Sequence, residues 1–236
     1  MATSGITIYQ LTRDELIIAA IGKLGVLAQG QTPTTEDMSK GALFLNTAIA
    51  ELRTKGMPLW ARNEYTFNLT TGVSTYRIGV GQTLNTPYPL KMIQAYSSNI
   101  ASPSARIQLD IIANYNYNYL PVASSSGSPV QMTYQAFVNY GDIKVWPTPD
   151  ASAAANQQIT IVYQRPTEYM TGSTNTFDIP EEWYNALIYK LASLLAPDWG
   201  LSLPDRQALR SETKELIEEA VAYSSEDTSI YISPGP

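Results

Sequence analysis

The chain has 236 residues, of which 15 are Lys or Arg and 21 are Asp or Glu, so charged side chains make up only 15% of it, against about 25% in an average protein. It contains neither cysteine nor histidine, which excludes disulfides, thiolate metal sites and catalysis by a thiol or an imidazole. Sixteen tyrosines, each with an apolar ring and a polar hydroxyl, indicate a partly hydrated contact surface, typical of an assembly subunit or of a sugar-binding β-domain.

Two helices are predicted at the amino end, over residues 12–28 and 35–55. Thr12 and Glu15 have the spacing of a capping box, and apolar residues then recur at helical intervals. The first helix is apolar on nearly every face, so we expect it to be buried on several sides. Gly22 lies within it at a cost in helix propensity, and the expected gain is close approach by a neighbouring backbone.

The middle of the chain, residues 57–177, has the period-two alternation of strands and is predicted to be an inserted antiparallel β-domain. Tyr65, Phe67 and Leu69 alternate with polar residues before a turn at residues 70–72. Further strands are predicted by similar runs: residues 90–96, 106–112, 130–138, 143–146 and 158–163.

A tract rich in asparagine and tyrosine, residues 114–119, interrupts this β region. Its low complexity favours an exposed loop or edge strand. A sharper hypothesis makes Tyr115, Tyr117 and Tyr119 a contact surface for a neighbouring subunit, a tail component or a sugar.

Two more helices are predicted near the carboxy end, over residues 180–196 and 203–223, as antiparallel neighbours joined by a short turn. Asp178 and Glu181 have capping-box spacing before the first of them. Residues 181–236 carry four basic and ten acidic side chains, which account for the whole net charge of −6.

The last segment, residues 224–236, is predicted to be an extended arm. It contains Ile230, Tyr231 and Ile232, an apolar triplet that favours a β conformation and is suited to docking in a cleft or on a sheet edge. The fold class that follows is α+β: residues 1–56 and 178–223 form a four-helix platform, and residues 57–177 form the β-domain inserted into it.

No motif for chemistry emerges. The sequence has no phosphate-binding loop, no dinucleotide fingerprint and no cluster with metal-ligand spacing. Glu181 and Glu182 are explained as partners of a helix dipole, and Asp142 and Asp150 by turn chemistry. We therefore expect no enzymatic activity, no cofactor and no metal. The longest apolar run, residues 16–28, is too short to span a bilayer, so no membrane partner is expected.

Several patches, in order along residues 43–200, resemble the head-to-tail adaptors of tailed phages, which include head-completion, tail tubular A-type and packaged-DNA stabilisation proteins. The patches are Leu45-Asn46-x5-Leu52-x3-Gly56-x2-Leu59-Trp60, then the hairpin Phe67-x-Leu69-x2-Gly72-x3-Tyr76-x-Ile78, then Tyr163-x-Arg165 and Ile179-Pro180-x2-Trp183-x2-Ala186-Leu187 with Leu191-Ala192.

The resemblance implies a structural virion protein at the head–tail junction, assembled in the host cytoplasm. Such adaptors form a dodecameric ring beneath the portal protein, extend the DNA channel and present a surface to the next tail protein, a nozzle or tube. Double-stranded DNA would pass through without specific binding. The resemblance also implies that the helical part meets the portal, that the β part meets the tail, and that Ile230, Tyr231 and Ile232 reach along the portal.

Two alternatives remain at this point. One is a tail-tube or tail-terminator subunit of the same particle. The other is a carbohydrate-binding, host-recognition β-module, favoured by the tyrosine, tryptophan and asparagine content of the middle region, although that class leaves the four terminal helices unexplained.

Overall fold

A computed structural model describes residues 9–28, 30–53, 61–120, 122 and 124–224. The chain divides into two compact units, a helical unit (Met1–Trp60 with Thr167–Pro236) and a β-unit (Ala61–Pro166). Helices and mainly antiparallel sheets occur together, which confirms the predicted α+β class.

The helical unit contains four helices of more than two turns and a single 3-10 turn among its described residues. They are α1 (Arg13–Lys23), α2 (Thr35–Leu52), the 3-10 turn (Glu181–Trp183), α5 (Tyr184–Leu195) and α6 (Leu203–Tyr223).

Capping boxes begin both amino-terminal helices. The Thr12 side chain accepts from the amide of Glu15, whose carboxylate accepts from the amide of Thr12, as the sequence predicts. Thr34 and Asp37 repeat this arrangement at the start of α2. Each box pairs amides that a free helix end would leave without partners.

Helix α5 lies at the centre of the helical unit, in contact with α1, α2 and α6. Apolar residues that recur at helical spacing on each element meet there and are almost completely buried: Leu16, Ile17, Ile21, Leu45, Ile49, Leu187, Leu191, Leu195 and Ile217. Helices from the two ends of the chain therefore share one core.

Helix α1 differs from its prediction in length and in the position of its close approach. It ends at Lys23, because Gly25 adopts a positive φ of 66° that terminates the helix. It contacts both α2 and α5, while Ile18 is exposed. A Cβ on Gly22 would meet nothing within 4 Å, so the predicted close approach there is wrong; it occurs instead at Gly41, whose Cβ would collide with Ile17.

Residues 167–177 belong to the helical unit, and not to the β-domain as predicted. Met170 and Phe177 are buried in the helical core. The backbone nearby pairs with the start of α1, where the Arg13 amide donates to the Asn175 carbonyl at 3.0 Å. This segment carries too little alternation for its location to be predicted from the sequence.

The expected capping box of Asp178 and Glu181 is absent. The helix starts with the 3-10 turn, whose N-cap residue Pro180 has no capping side chain. The carboxylate of Glu181 instead accepts a hydrogen bond from the Tyr9 amide at 2.8 Å. Competition from this distant amide explains why the local spacing is misleading.

The β-unit contains two four-stranded sheets. The first has the order β1-β10-β3-β4 and the second β2-β8-β7-β5. Their strands are β1 (Arg62–Asn68), β2 (Thr75–Ile78), β3 (Lys91–Asn99), β4 (Ser102–Gln108), β5 (Asp110–Ile111), β7 (Gln131–Ala136), β8 (Gly141–Trp146) and β10 (Gln157–Gln164).

Shorter elements complete the β-unit: the helices α3 (Asn114–Asn118) and α4 (Ala151–Asn156), and the strands β6 (Ser126–Gly127) and β9 (Thr148–Pro149). The pairs β5–β7 and β6–β9 are parallel, so the β-unit is not purely antiparallel as predicted. The Asp150 side chain accepts from the Ala153 amide and caps α4, so its role is a helix cap where turn chemistry was predicted.

Strands β1 and β2 do not form the hairpin that the resemblance implies. A turn follows at residues 70–73, where the Val73 amide donates to the Thr70 carbonyl. Beyond it, however, β1 pairs with β10 and β2 pairs with β8, in different sheets. Alternation predicts each strand, but non-local pairing partners leave no signal in the spacing.

The predicted strand at residues 106–112 is split into β4 and β5 by Leu109, which is buried in the core of the β-unit. The tract at residues 114–119 is also different from its prediction. Residues 114–118 form the short helix α3, and Tyr119 is its C-cap residue, so the tract is neither a loop nor an edge strand.

Candidate functional site: exposed apolar surface of the β-unit

Helix α3 presents two of the three predicted tyrosines to solvent. Tyr115 and Tyr119 are 69% and 70% exposed, and their ring centroids lie 4.7 Å apart because they are four residues apart on one helical face. The Tyr115 hydroxyl donates to the Tyr119 hydroxyl at 3.2 Å. This hydrogen bond raises the pKa of Tyr115, since it stabilises the protonated phenol.

The third tyrosine is bound into the β-unit itself. The Tyr117 hydroxyl donates to the Val145 carbonyl at 3.2 Å, and the Lys144 ammonium lies 6.0 Å from the centre of its ring. Burial raises the pKa of Tyr117. Tyr117 therefore anchors α3 to the sheet, and the exposed pair consists of Tyr115 and Tyr119.

Sheet register explains where α3 lies. Thr133 pairs with Lys144 and Gln135 with Asp142 across β7 and β8, so these four side chains share the face of the sheet that points away from the core. Helix α3 packs on β7, and Thr133 is only 1% exposed. Helix α3 thus covers part of this face, and Tyr115 and Tyr119 lie on the solvent-exposed side of the helix.

A second exposed surface, named here the apolar tip, consists of Val80, Phe137 and Val138. Val80 and Val138 are 76% and 86% exposed, far more than is usual for valine. Val80 follows β2, and Phe137 and Val138 lie in the β7–β8 turn. The pairing of Ile78 with Gly141 brings both loops to the same end of the second sheet.

Contacts at the base of the apolar tip hold its two loops together. A Cβ on Gly79 would lie 3.1 Å from the Asn139 carbonyl oxygen, which is closer than most real Cβ contacts, so the two loops approach each other closely at this glycine. The Arg77 guanidinium stacks 4.4 Å from the centre of the Tyr140 ring. Phe137 stacks in turn on Tyr140, with ring centroids 4.8 Å apart.

Asp142 pairs with Arg77 across the strands, with Nε of Arg77 3.1 Å from Oδ1 of Asp142. The hydrogen bond and the carboxylate charge raise the pKa of Arg77. Asp142 lies within β8, so its predicted turn role is wrong. The apolar tip was not predicted from the sequence, although two consecutive apolar residues precede Asn139 and a valine lies between Gly79 and Gly81.

Within the described ranges, no group of three or more His, Cys, Asp or Glu side chains is placed to hold a metal ion. The helices of those same ranges are all too short or too polar to cross a membrane. The predicted arm residues Ile230, Tyr231 and Ile232 lie outside the described residues.

Exposed aromatic and aliphatic side chains, such as those of Tyr115, Tyr119, Val80 and Val138 on the β-unit, are features of an assembly subunit. The family model described as SU10 adaptor protein matches residues 12–234, nearly the whole chain. The chain belongs to this family, consistent with a tailed-phage head-to-tail adaptor. It is a phage adaptor with a structural role in the virion. A comparison with curated proteins found no match.

Proposed function

We propose that this protein forms a ring beneath the portal protein, extends the DNA channel and docks the tail. The observation that carries the proposal is the family match over residues 12–234, which covers both the helical unit and the β-unit. A ring at this position would place the protein at the head–tail junction of the virion, after assembly in the host cytoplasm.

The β-unit supplies the surface for the next tail protein, a nozzle or a tube. Val80 and Val138 on the apolar tip, and Tyr115 and Tyr119 on α3, together offer the mixture of aliphatic and aromatic groups that protein interfaces favour. A rigid base beneath the tip lowers the entropic cost of docking. We propose that the helical unit and residues 224–236 contact the portal, as the resemblance to head-to-tail adaptors implies.

Charge supports a channel that lets DNA slide. Residues 181–236 are strongly acidic, and no other region has an excess of basic side chains. Phosphate binding needs such an excess. Double-stranded DNA would therefore pass the ring without specific binding.

We also propose that the protein is not an enzyme and uses no cofactor. Two of the carboxylates considered for catalysis have structural partners: Glu181 accepts from the Tyr9 amide, and Asp142 pairs with Arg77. Glu182 is exposed on the 3-10 turn. We expect no hydrolytic activity in the wild-type protein, and therefore none that an amide substitution at Glu181, Glu182 or Asp142 could remove.

The family match favours an adaptor over the tail-tube, tail-terminator and carbohydrate-binding alternatives. A two-stage binding experiment tests the proposal. Portal rings are first incubated with the protein, and the purified complex is then incubated with the tail protein. The double variant Val80→Asp, Val138→Asp should still bind the portal but lose the tail protein.

Lys91→Asp is the control, because Lys91 is an exposed residue at the start of β3 and does not belong to the apolar tip. It should bind both partners. If the wild-type protein does not bind portal rings, the proposed function is contradicted. If the double variant of the apolar tip still binds the tail protein, only the assigned docking surface is contradicted.

A further inference from the structure

Three of the four basic side chains in the acidic carboxy-terminal region lie around one cleft. Lys190 on α5, with Arg210 and Lys214 on α6, lines an opening of about 320 Å³ between the two helices. The Thr213 hydroxyl at this cleft donates to the Tyr189 carbonyl at 3.1 Å and fixes α6 against α5. We name these three cations and the opening the basic cleft.

Only part of this positive charge is neutralised by the helical unit. Lys190 forms an ion pair with Glu51, with Nζ and Oε2 2.5 Å apart. Lys214 lies 3.7 Å from Glu218 at an exposed position, where such a pair contributes little. Within the described part of the chain, no carboxylate oxygen lies within 4.0 Å of the Arg210 guanidinium. The cleft therefore offers positive charge to an external partner.

The opposite flank of α6 is acidic. Glu212, Glu215 and Glu219 are exposed, and their spacing of three and four residues places them on one face. With about 100° of rotation per residue, Glu215 stands roughly 140° around the helix from Arg210. We name these three carboxylates the acidic edge.

Helix geometry prevents the acidic edge from reaching the basic cleft of its own chain, because the two lie on different flanks of one rigid helix. Two copies of the chain, however, can bring an acidic edge and a basic cleft together. We propose that the acidic edge of one copy docks on the basic cleft of the next copy, so that α6 forms the side-by-side contact. This inference rests on the proposed ring.

The arrangement also explains how a ring could close. A contact that uses the edge of one copy and the cleft of its neighbour leaves one edge and one cleft available at the ends. Such a contact between two different surfaces is heterologous. It continues from copy to copy and closes into a ring when the rotation per copy allows it. Like charges would repel the reversed contacts, edge on edge or cleft on cleft, which fixes the direction of assembly.

The absence of cysteine from the sequence makes thiol cross-linking a clean test. Gln207 precedes Lys214 by seven residues and shares its face, whereas Ala208 precedes Glu215 by seven residues and shares the other face. Both are exposed. Chains with Gln207→Cys and chains with Ala208→Cys are mixed with a short bismaleimide, once as free protein at low salt and once bound to portal rings.

With equal amounts of the two chains, random pairing would make the mixed 207–208 product equal to the sum of the two like-with-like products, so the mixed product should exceed that sum in at least one of these settings. Salt at about 0.5 M, where the Debye length is about 4 Å, should reduce it in the free protein. Arg210→Glu with Lys214→Glu in the Gln207→Cys chain should lower the yield about tenfold. Adding Glu215→Lys and Glu219→Lys to the Ala208→Cys chain should restore it. Lys40→Glu on α2 is the control and should change nothing.

The inference is overturned if the mixed product exceeds the sum of the like-with-like products in neither setting, if the double charge reversal fails to restore the yield, or if peptide mapping finds residues 225–236 at the cleft instead. The proposed function fails separately, through loss of portal binding. A chain with Arg210→Glu and Lys214→Glu that binds portal but cross-links normally would refute only the α6 contact.

Discussion

Asn46 and Met170, which are 124 residues apart in the sequence, exchange two hydrogen bonds in the helical unit. The Asn46 Nδ2 donates to the Met170 carbonyl at 3.2 Å, and the Met170 amide donates to the Asn46 Oδ1 at 3.0 Å. One side chain thus pairs both backbone groups of a buried residue, and it fixes the segment that returns from the β-unit onto α2.

Replacing Asn46 by alanine should leave both Met170 backbone groups without these partners. We expect the free energy of unfolding to fall by about 1–3 kcal/mol, measured by urea denaturation. Thr47→Ala is the control, because Thr47 is exposed and its hydroxyl donates only within its own helix, to the Leu43 carbonyl. Equal effects of the two substitutions would show that the Asn46 pairing does not stabilise the unit.

Two glycines should respond in opposite directions to alanine. Gly41→Ala places a methyl group against Ile17, so we expect destabilisation of about 1–3 kcal/mol. Gly22→Ala meets open space within α1, and should stabilise by about 0.5–1 kcal/mol through helix propensity. Thermal unfolding of the two variants checks this prediction, which is contradicted if the midpoints move in the same direction.

The tyrosines of α3 should separate binding from stability. Tyr115→Ala with Tyr119→Ala should leave the unfolding midpoint nearly unchanged while weakening binding of the tail protein, because both rings are exposed. Tyr117→Ala should lower the midpoint, since it removes the anchor to Val145. Calorimetry and tail-protein binding, measured on the same samples, distinguish the two outcomes. Normal tail binding by the double variant would exclude the tyrosine pair from that interface.

The two capping boxes predict a loss of stability in acid. Hydrogen bonds from the Thr34 hydroxyl and amide lower the pKa of Asp37 below its ordinary value of 3.8. The Thr12 amide and hydroxyl do the same for the pKa of Glu15, ordinarily 4.5. The folded state therefore binds protons at these two carboxyl groups less tightly than the unfolded state does, and their ionised forms stabilise the fold. This stabilisation is complete above the ordinary pKa values and is lost as the pH falls through the lowered ones.

Asp37→Asn should therefore be less stable than the wild type at pH 7, and the gap should narrow as the pH falls below about 4. Melting temperatures at a series of pH values measure this convergence. Glu36→Gln is the control, because Glu36 is exposed and pairs with Lys40 on the same helix. A gap that stays constant from neutral to acid pH would contradict the role of the Asp37 charge.

Local patterns in the sequence predict the elements of this fold better than their partners. The Thr12 capping box, the apolar stripe of α5 and most strands are encoded within a few residues. The pairing of β1 with β10 depends on residues about a hundred positions away, and no periodicity records it. Glu181 shows the same limit, since its distant partner Tyr9 replaces the expected local cap.

The candidate site was predictable only in part. Spacing of two residues suggests that Tyr115, Tyr117 and Tyr119 share one face of a strand, but a helix turns Tyr117 inward and leaves the other two exposed. The apolar tip depends on the register of β2 with β8, which brings Val80 and Val138 to one end of the sheet.

Electron cryomicroscopy of portal rings incubated with the full-length protein tests the central claim most directly. The account predicts a closed ring beneath the portal, coaxial with its channel, with the apolar tip of the β-unit pointing toward the tail. Density for single copies scattered on the portal, a ring that does not surround the channel, or no bound protein at all would contradict it.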